Sequence, residues 1–126
     1  MTIGKLILST LLVFGAMVSH ALEVKPYSAA ALAEAQKAGK PVALHFHADW
    51  CPTCRAQEKV LQGLKSDAGL DLTVLVANYD TEKSLKRRFN VRAQSTLVVL
   101  HGEKETYRVV GDTSPGGIRG ALKSAL

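Results

Sequence analysis

The feature that most restricts the fold is the position of Cys51-Pro52-Thr53-Cys54 at the seam between two segments of different period. Val42 to His47 (VALHFH) has the β-branched, apolar character of a buried strand, whereas beyond the motif Val60, Leu61 and Leu64 recur at helical spacing. Proline suits the first turn of a helix, where its missing N–H leaves nothing unpaired. The motif is therefore expected where a strand feeds a helix. These are the chain's two cysteines, and their spacing decides what a bond between them would do. Closing so short a loop restrains the unfolded chain by roughly 2 kcal/mol, against about 4.7 kcal/mol for a long loop. The pair is better suited to chemistry than to stapling.

The remaining segments follow the same logic. Ser28 can cap a helix over residues 29–38, with Gly39 at its end and Pro41 stopping it. Leu72 to Tyr79 reads as a second strand, and Thr81 can cap a short helix that runs to Phe89. Thr96 to Leu100 and Glu105 to Val110 flank His101-Gly102-Glu103-Lys104, a hairpin turn. A last helix starts at Ser114-Pro115. The order helix, strand, helix, strand, helix, strand, strand, helix predicts an α/β domain with a central mixed sheet and helices on both faces.

One domain fits the 126 residues, with 47% apolar and 21% charged side chains excluding a disordered chain. Residues 1–21 differ in kind. Lys5 is their one charged side chain, Leu6 to Val18 is apolar but for Ser9 and Thr10, and Ser19-His20-Ala21 is a small-x-small site. These are the three parts of an export signal, so residues 22–126 are expected as the mature domain in the bacterial periplasm or otherwise outside the cytoplasm. Retention as a membrane tether is the rival, although the apolar run is short of the roughly 20 residues that cross a bilayer. Loss of Lys5 lowers the formal charge from +5 to +4. Lys83, Lys86, Arg87 and Arg88 form one basic cluster without interleaved aromatics, which reads as a solvated helix face and not as a nucleic-acid surface.

A sulfur just ahead of a helix meets unpaired N–H groups and the positive end of the helix dipole, both of which favour thiolate. Cys51 is thus the expected nucleophile. Cys54, one turn further in, can attack the mixed disulfide that Cys51 forms and so release the substrate. Arg55 and Lys59 would assist ionisation if they faced the sulfurs.

Phe46-His47-Ala48-Asp49-Trp50-Cys51-Pro52-Thr53-Cys54 resembles the active-site segment of thioredoxins, and Asn78-Tyr79-Asp80, Phe89-Asn90-Val91-Arg92 and Val110-Gly111 resemble later landmarks of that family. Trp50 to Ala56 is also similar to the motif of the exported thioredoxin-like reductants of cytochrome c maturation. The resemblance implies a thioredoxin-like three-layer fold and a thiol-disulfide oxidoreductase, with a reductant preferred. It implies docking through Trp50, Pro52, Thr53, Ser95 and Thr96, and no cofactor beyond the Cys51–Cys54 disulfide.

Three positions depart from the family pattern. His45 stands where thioredoxins bury an aspartate beneath the second cysteine, and Val76 where they place its lysine partner. His45 is either a proton shuttle for Cys54 or a core histidine bonded to a backbone carbonyl. Ser95 replaces the cis-proline that faces the cysteines; since a non-proline cis peptide costs about 2.5–4 kcal/mol, it is either trans or held cis under strain. Its hydroxyl can then bond a sulfur or a peptide.

The expected partners are exported protein thiols or disulfides and a membrane-embedded thiol electron donor, with membrane contact only through an uncleaved leader and the protein itself a monomer. A different class of function uses the same residues: Cys51, Cys54 and His45 or His47 as ligands for copper(I) or zinc.

Overall fold

The computed structural model describes residues 11–13, 15 and 21–126. The leader predicted for residues 1–21 lies, apart from those few positions, outside the described residues.

Among the described residues, four helices and five strands form three layers. β1 (Glu23–Pro26), α1 (Ala29–Lys37), β2 (Pro41–His47), α2 (Pro52–Leu64), β3 (Thr73–Asn78), α3 (Lys83–Arg88), β4 (Thr96–His101), β5 (Lys104–Val110) and α4 (Pro115–Lys123) follow in that order. The sheet runs β1-β3-β2-β4-β5. The first three of these strands are mutually parallel, and β4 and β5 are antiparallel additions. β2, between β3 and β4, carries the motif at its C-terminal end.

Alternation along β2 sorts the two cores. Val42, Leu44 and Phe46 pack with Leu32 of α1 and Leu85 of α3 on one face. Ala43 packs with Leu61 of α2 and Ile118 and Leu122 of α4 on the other. His45 and His47 share the parity of Ala43 and therefore lie beneath α2.

Local signals place most boundaries. Ser28 Oγ accepts the Ala31 N–H at 3.1 Å, and Ser114 Oγ accepts the Gly117 N–H at 3.1 Å, so both helices start at side-chain caps. Pro41 opens β2 as well as closing off α1. The predicted hairpin turn forms at Gly102, where φ is +59° and an added Cβ would lie only 3.3 Å from the Gly39 Cα. Gly102→Ala is therefore expected to lower stability by about 1–2 kcal/mol, the usual cost of a left-handed L-residue, as read by urea denaturation.

Two expectations need correction. β1 is absent from the expected order: Glu23-Val24-Lys25-Pro26 has too little apolar character to read as a strand, yet the exposed edge of β3 recruits it in register from Thr73 to Val76. α3 starts from Glu82 without a side-chain cap. Thr81 is not the capping residue; Asn78 Oδ1 instead accepts the N–H groups of Asp80 and Thr81 at 2.9 and 3.3 Å, turning the chain out of β3.

Candidate active site

Cys51 is the N-cap of α2. Its extended backbone (φ −93°, ψ 112°) aims the sulfur at the first turn, where Sγ accepts the Cys54 N–H at 3.2 Å. Cys54 lies wholly inside, 0% exposed, and both cysteines are free thiols packed against Ala48 and Tyr79. Ser95 faces them from the loop before β4. Its Oγ is 3.3 Å from Cys51 Sγ and 3.0 Å from Cys54 Sγ, so one hydroxyl spans both sulfurs.

The two thiols are consequently unlike. Burial alone would push the Cys51 thiol up, but hydrogen bonds from the Cys54 thiol, the Ser95 hydroxyl and the N–H groups of Cys54 and Thr53 outweigh it and hold the thiol below its ordinary value. Burial pushes Cys54 up, and donation to Cys51 keeps its proton in place. The groups that favour the Cys51 thiolate are uncharged. Arg55, expected to help, points elsewhere: its Nη1 donates to the Asp49 carbonyl at 2.9 Å. Lys59 is exposed on the same helix.

The peptide before Ser95 is trans, since the described residues contain no cis bond, and the serine adopts φ +61°. This left-handed conformation costs a serine about 1–2 kcal/mol. Its backbone is held on both sides: the Ser95 N–H donates to the Phe46 carbonyl at 3.0 Å, and its carbonyl accepts the Gly111 N–H at 3.0 Å. A further donor to that carbonyl is Gln57 Nε2, also at 3.0 Å.

Gln57 is the residue that sequence reasoning missed. It lies on the buried stripe of α2 formed by Cys54, Gln57 and Leu61, at helical spacing from both, and this stripe was the available signal. Its Nε2 also donates to the Asp112 carbonyl at 2.9 Å. With both amide hydrogens on carbonyls, Oε1 must accept, and its partner is His45 Nε2–H at 2.9 Å. His45 is thus bonded to a side-chain amide and not to a backbone carbonyl. Its Nδ1 is left a buried lone pair without a partner. Burial, only partly offset by the Gln57 bond and reinforced by His47, lowers its pKa to about 4, so the ring is neutral.

The other candidate residues divide by exposure. Trp50 is 58% exposed, with its indole N–H donating to Asp80 Oδ2 at 2.8 Å, and Pro52 lies at the surface beside it. Thr53 is half-buried. Thr96 is buried, its hydroxyl donating to the Ala93 carbonyl at 2.7 Å, so its side chain braces the loop before β4. For the metal alternative, His47 lies 5.5 Å from His45 between ring centroids and hydrogen-bonds Asp49 through Nε2 at 3.0 Å. Among the described residues no group of three His, Cys, Asp or Glu side chains is arranged to hold a metal ion.

Comparison with known proteins agrees with this geometry. The family model described as Thioredoxin matches residues 24–124. A thioredoxin of Mycobacterium tuberculosis is 30% identical over 88 residues, covering 70% of this chain and 76% of that protein. The thiol:disulfide interchange protein DsbD 1 of Pseudomonas aeruginosa is 33% identical over 105 residues; the match takes in 76% of this chain but only 18% of that longer protein. The crystal structure of Trxlp from Edwardsiella tarda superposes with a TM-score of 0.75 at 40% identity, covering 79% of this chain and 98% of that one. With two unlike thiols at the head of a helix, a matching fold and a family match over most of its length, the chain belongs to the thioredoxin family and is a thiol-disulfide oxidoreductase.

Proposed function

We propose that this protein is an exported reductant of protein disulfides, in which Cys51 attacks and Cys54 resolves. The carrying observation is the asymmetry of the two sulfurs: the one at the head of α2 is stabilised as thiolate, and the one behind it keeps its proton until needed. A thiolate at Cys51 displaces one sulfur of a substrate disulfide, and the leaving sulfur departs as a thiolate. Cys54 then attacks Cys51 Sγ, expelling the second substrate sulfur and leaving the internal disulfide. A part in disulfide exchange with other proteins is supported by the similarity to DsbD 1, named as a thiol:disulfide interchange protein. A membrane-embedded thiol donor would return the two electrons. Trp50 and Pro52, exposed beside Cys51, supply the docking surface.

Export is supported by the leader pattern and by where the first described strand starts. Leu22, the first residue after the cleavage site, is 3% exposed in the core, and β1 starts one residue later. Cleavage after Ala21 would leave every described strand and helix intact. Mass measurement of the protein recovered from the periplasm should place its N-terminus at Leu22.

A Cys54→Ser variant tests function and direction together. It should still attack, stop at the mixed disulfide and accumulate partners bonded to Cys51. Trapped exported proteins whose cysteines accumulate as disulfides in cells lacking this protein support a reductant; partners whose cysteines are instead left reduced in those cells would reverse the direction, and an empty trap would remove the reading.

A further inference from the structure

The fold enlarges the basic cluster of the sequence and brings it to the thiols. Lys83, Lys86 and Arg87 of α3 line a concavity of about 410 Å³ together with Asn90, Val91 and Arg92 of the segment that follows. Lys83, Arg87 and Arg92 are exposed. Tyr79 joins this concavity to the active site. It packs against Ala48, Cys51 and Cys54, its hydroxyl donates to the Arg92 carbonyl at 3.2 Å, and Lys86 Nζ lies 3.9 Å from its ring centroid.

Helix stability does not account for this set of charges. Cations favour the last turn of a helix, which Lys86, Arg87 and Arg88 occupy, but Lys83 lies in the first turn against the dipole and Arg92 lies outside the helix. Nor does the fold neutralise them. Lys25, Arg108 and Arg119 are paired with Glu23, Glu105 and Asp67, whereas among the described residues none of these five cations has a carboxylate within 4.0 Å. Their partners are neutral: Arg87 donates to Ser84 Oγ at 3.2 Å, Arg88 to Gln36 Oε1 at 2.8 Å and Arg92 to Asn90 Oδ1 at 3.3 Å. The acidic residues just before α3 do not compensate, since Asp80 holds the Trp50 indole N–H and Glu82 pairs with none of the five.

We propose that this patch is the recognition site for an acidic segment of the protein whose disulfide Cys51 attacks. This names the substrate class of the site described above and rests on the reading of Cys51 as the attacking thiol. A segment seated in the concavity runs beside Tyr79, so a cysteine next to it in the substrate is delivered to Cys51. Unpaired positive charge raises the encounter rate with such a segment, and carboxylates seated on Arg87 or Arg92 accept charge-assisted hydrogen bonds. Contiguity with the reacting sulfur favours a protein substrate over an anionic bilayer, which would cover the approach to Cys51.

Two disulfide peptides test the proposal, identical except that three glutamates near one cysteine of the first are glutamines in the second. Their reduction by the reduced full-length protein is followed, each rate being taken relative to that with 2-mercaptoethanol to remove the peptide's own reactivity. At about 0.01 M salt the acidic peptide should react about tenfold faster, the low end of electrostatic steering. At about 1 M salt, where the screening length is about 3 Å, the preference should vanish. Lys83→Gln/Arg87→Gln/Arg92→Gln should lose the preference at low salt. Lys37→Gln/Lys40→Gln/Lys104→Gln, which removes equal charge from exposed positions at the end of the sheet remote from the motif, should keep it. Equal rates for the two peptides in the wild type, or equal loss of preference in both triple variants, would overturn the proposal. Equal rates combined with binding of the wild type, but not of the Lys83/Arg87/Arg92 variant, to phosphatidylglycerol vesicles would overturn it in favour of a membrane surface. Reduction of neither peptide would remove the exchange reading beneath it, and the proposal with it.

Discussion

Cys51→Ser is expected to reduce insulin no faster than buffer alone, with the fold and melting temperature close to wild type. A serine hydroxyl at the head of α2 receives the same N–H groups, but at neutral pH it does not ionise to a useful degree. Cys54 cannot substitute, because it is fully buried and burial raises its pKa. The loss should therefore be complete and not partial. Turbidity of precipitating insulin B chain, followed with a reducing system in excess, measures it directly. Residual turnover above background would show that Cys54 can attack by itself, and the division of labour between the two thiols would fail.

The second large effect is on stability. Burial holds the His45 imidazole at about 4 against an ordinary value of 6.5. As pH falls through that interval the unfolded chain takes up a proton that the folded protein refuses, so stability falls with pH. The full interval corresponds to about 3 kcal/mol, present above pH 6.5 and lost by about pH 4. His45→Gln should remove this slope while leaving the Gln57 oxygen a donor. Asp67 and Asp112, whose carboxyls are held below the usual carboxylate range by Arg119 and by the Ser114 N–H respectively, contribute only at the acid end of the interval. Urea denaturation at several pH values on both proteins checks the assignment. An equal slope in the variant would place the proton uptake on another group.

The sequence disclosed the catalytic frame because its signals are local. A β-branched run ending at His47, a proline after Cys51 and capping serines at 28 and 114 act through neighbours in the chain. What stays hidden depends on distant segments. β1 becomes a strand only because β3 has a free edge to pair with. Gln57 reads as an ordinary surface glutamine of a helix until β2, the Ser95 loop and the turn at Asp112 close around it, each bringing one partner. The role of His45 is obscured for the same reason. The aspartate that relatives place at this position suggests one neighbourhood, but the residue that receives the histidine's hydrogen bond lies twelve positions away on α2. Ser95 stands out in the sequence as a departure, yet only the folded loop shows that a left-handed serine brings its hydroxyl within reach of both sulfurs.

Because β1 runs parallel to β2 and begins opposite Thr73, the incoming chain joins the sheet at the end remote from the thiols. The seven residues of β2 separate the two poles by roughly 20 Å at the usual rise per strand residue. A leader retained before Leu22 would thus join the domain at the pole opposite the reactive sulfurs. An affinity tag or fusion partner placed before Leu22 would likewise hang from the blunt end and leave substrate access unobstructed.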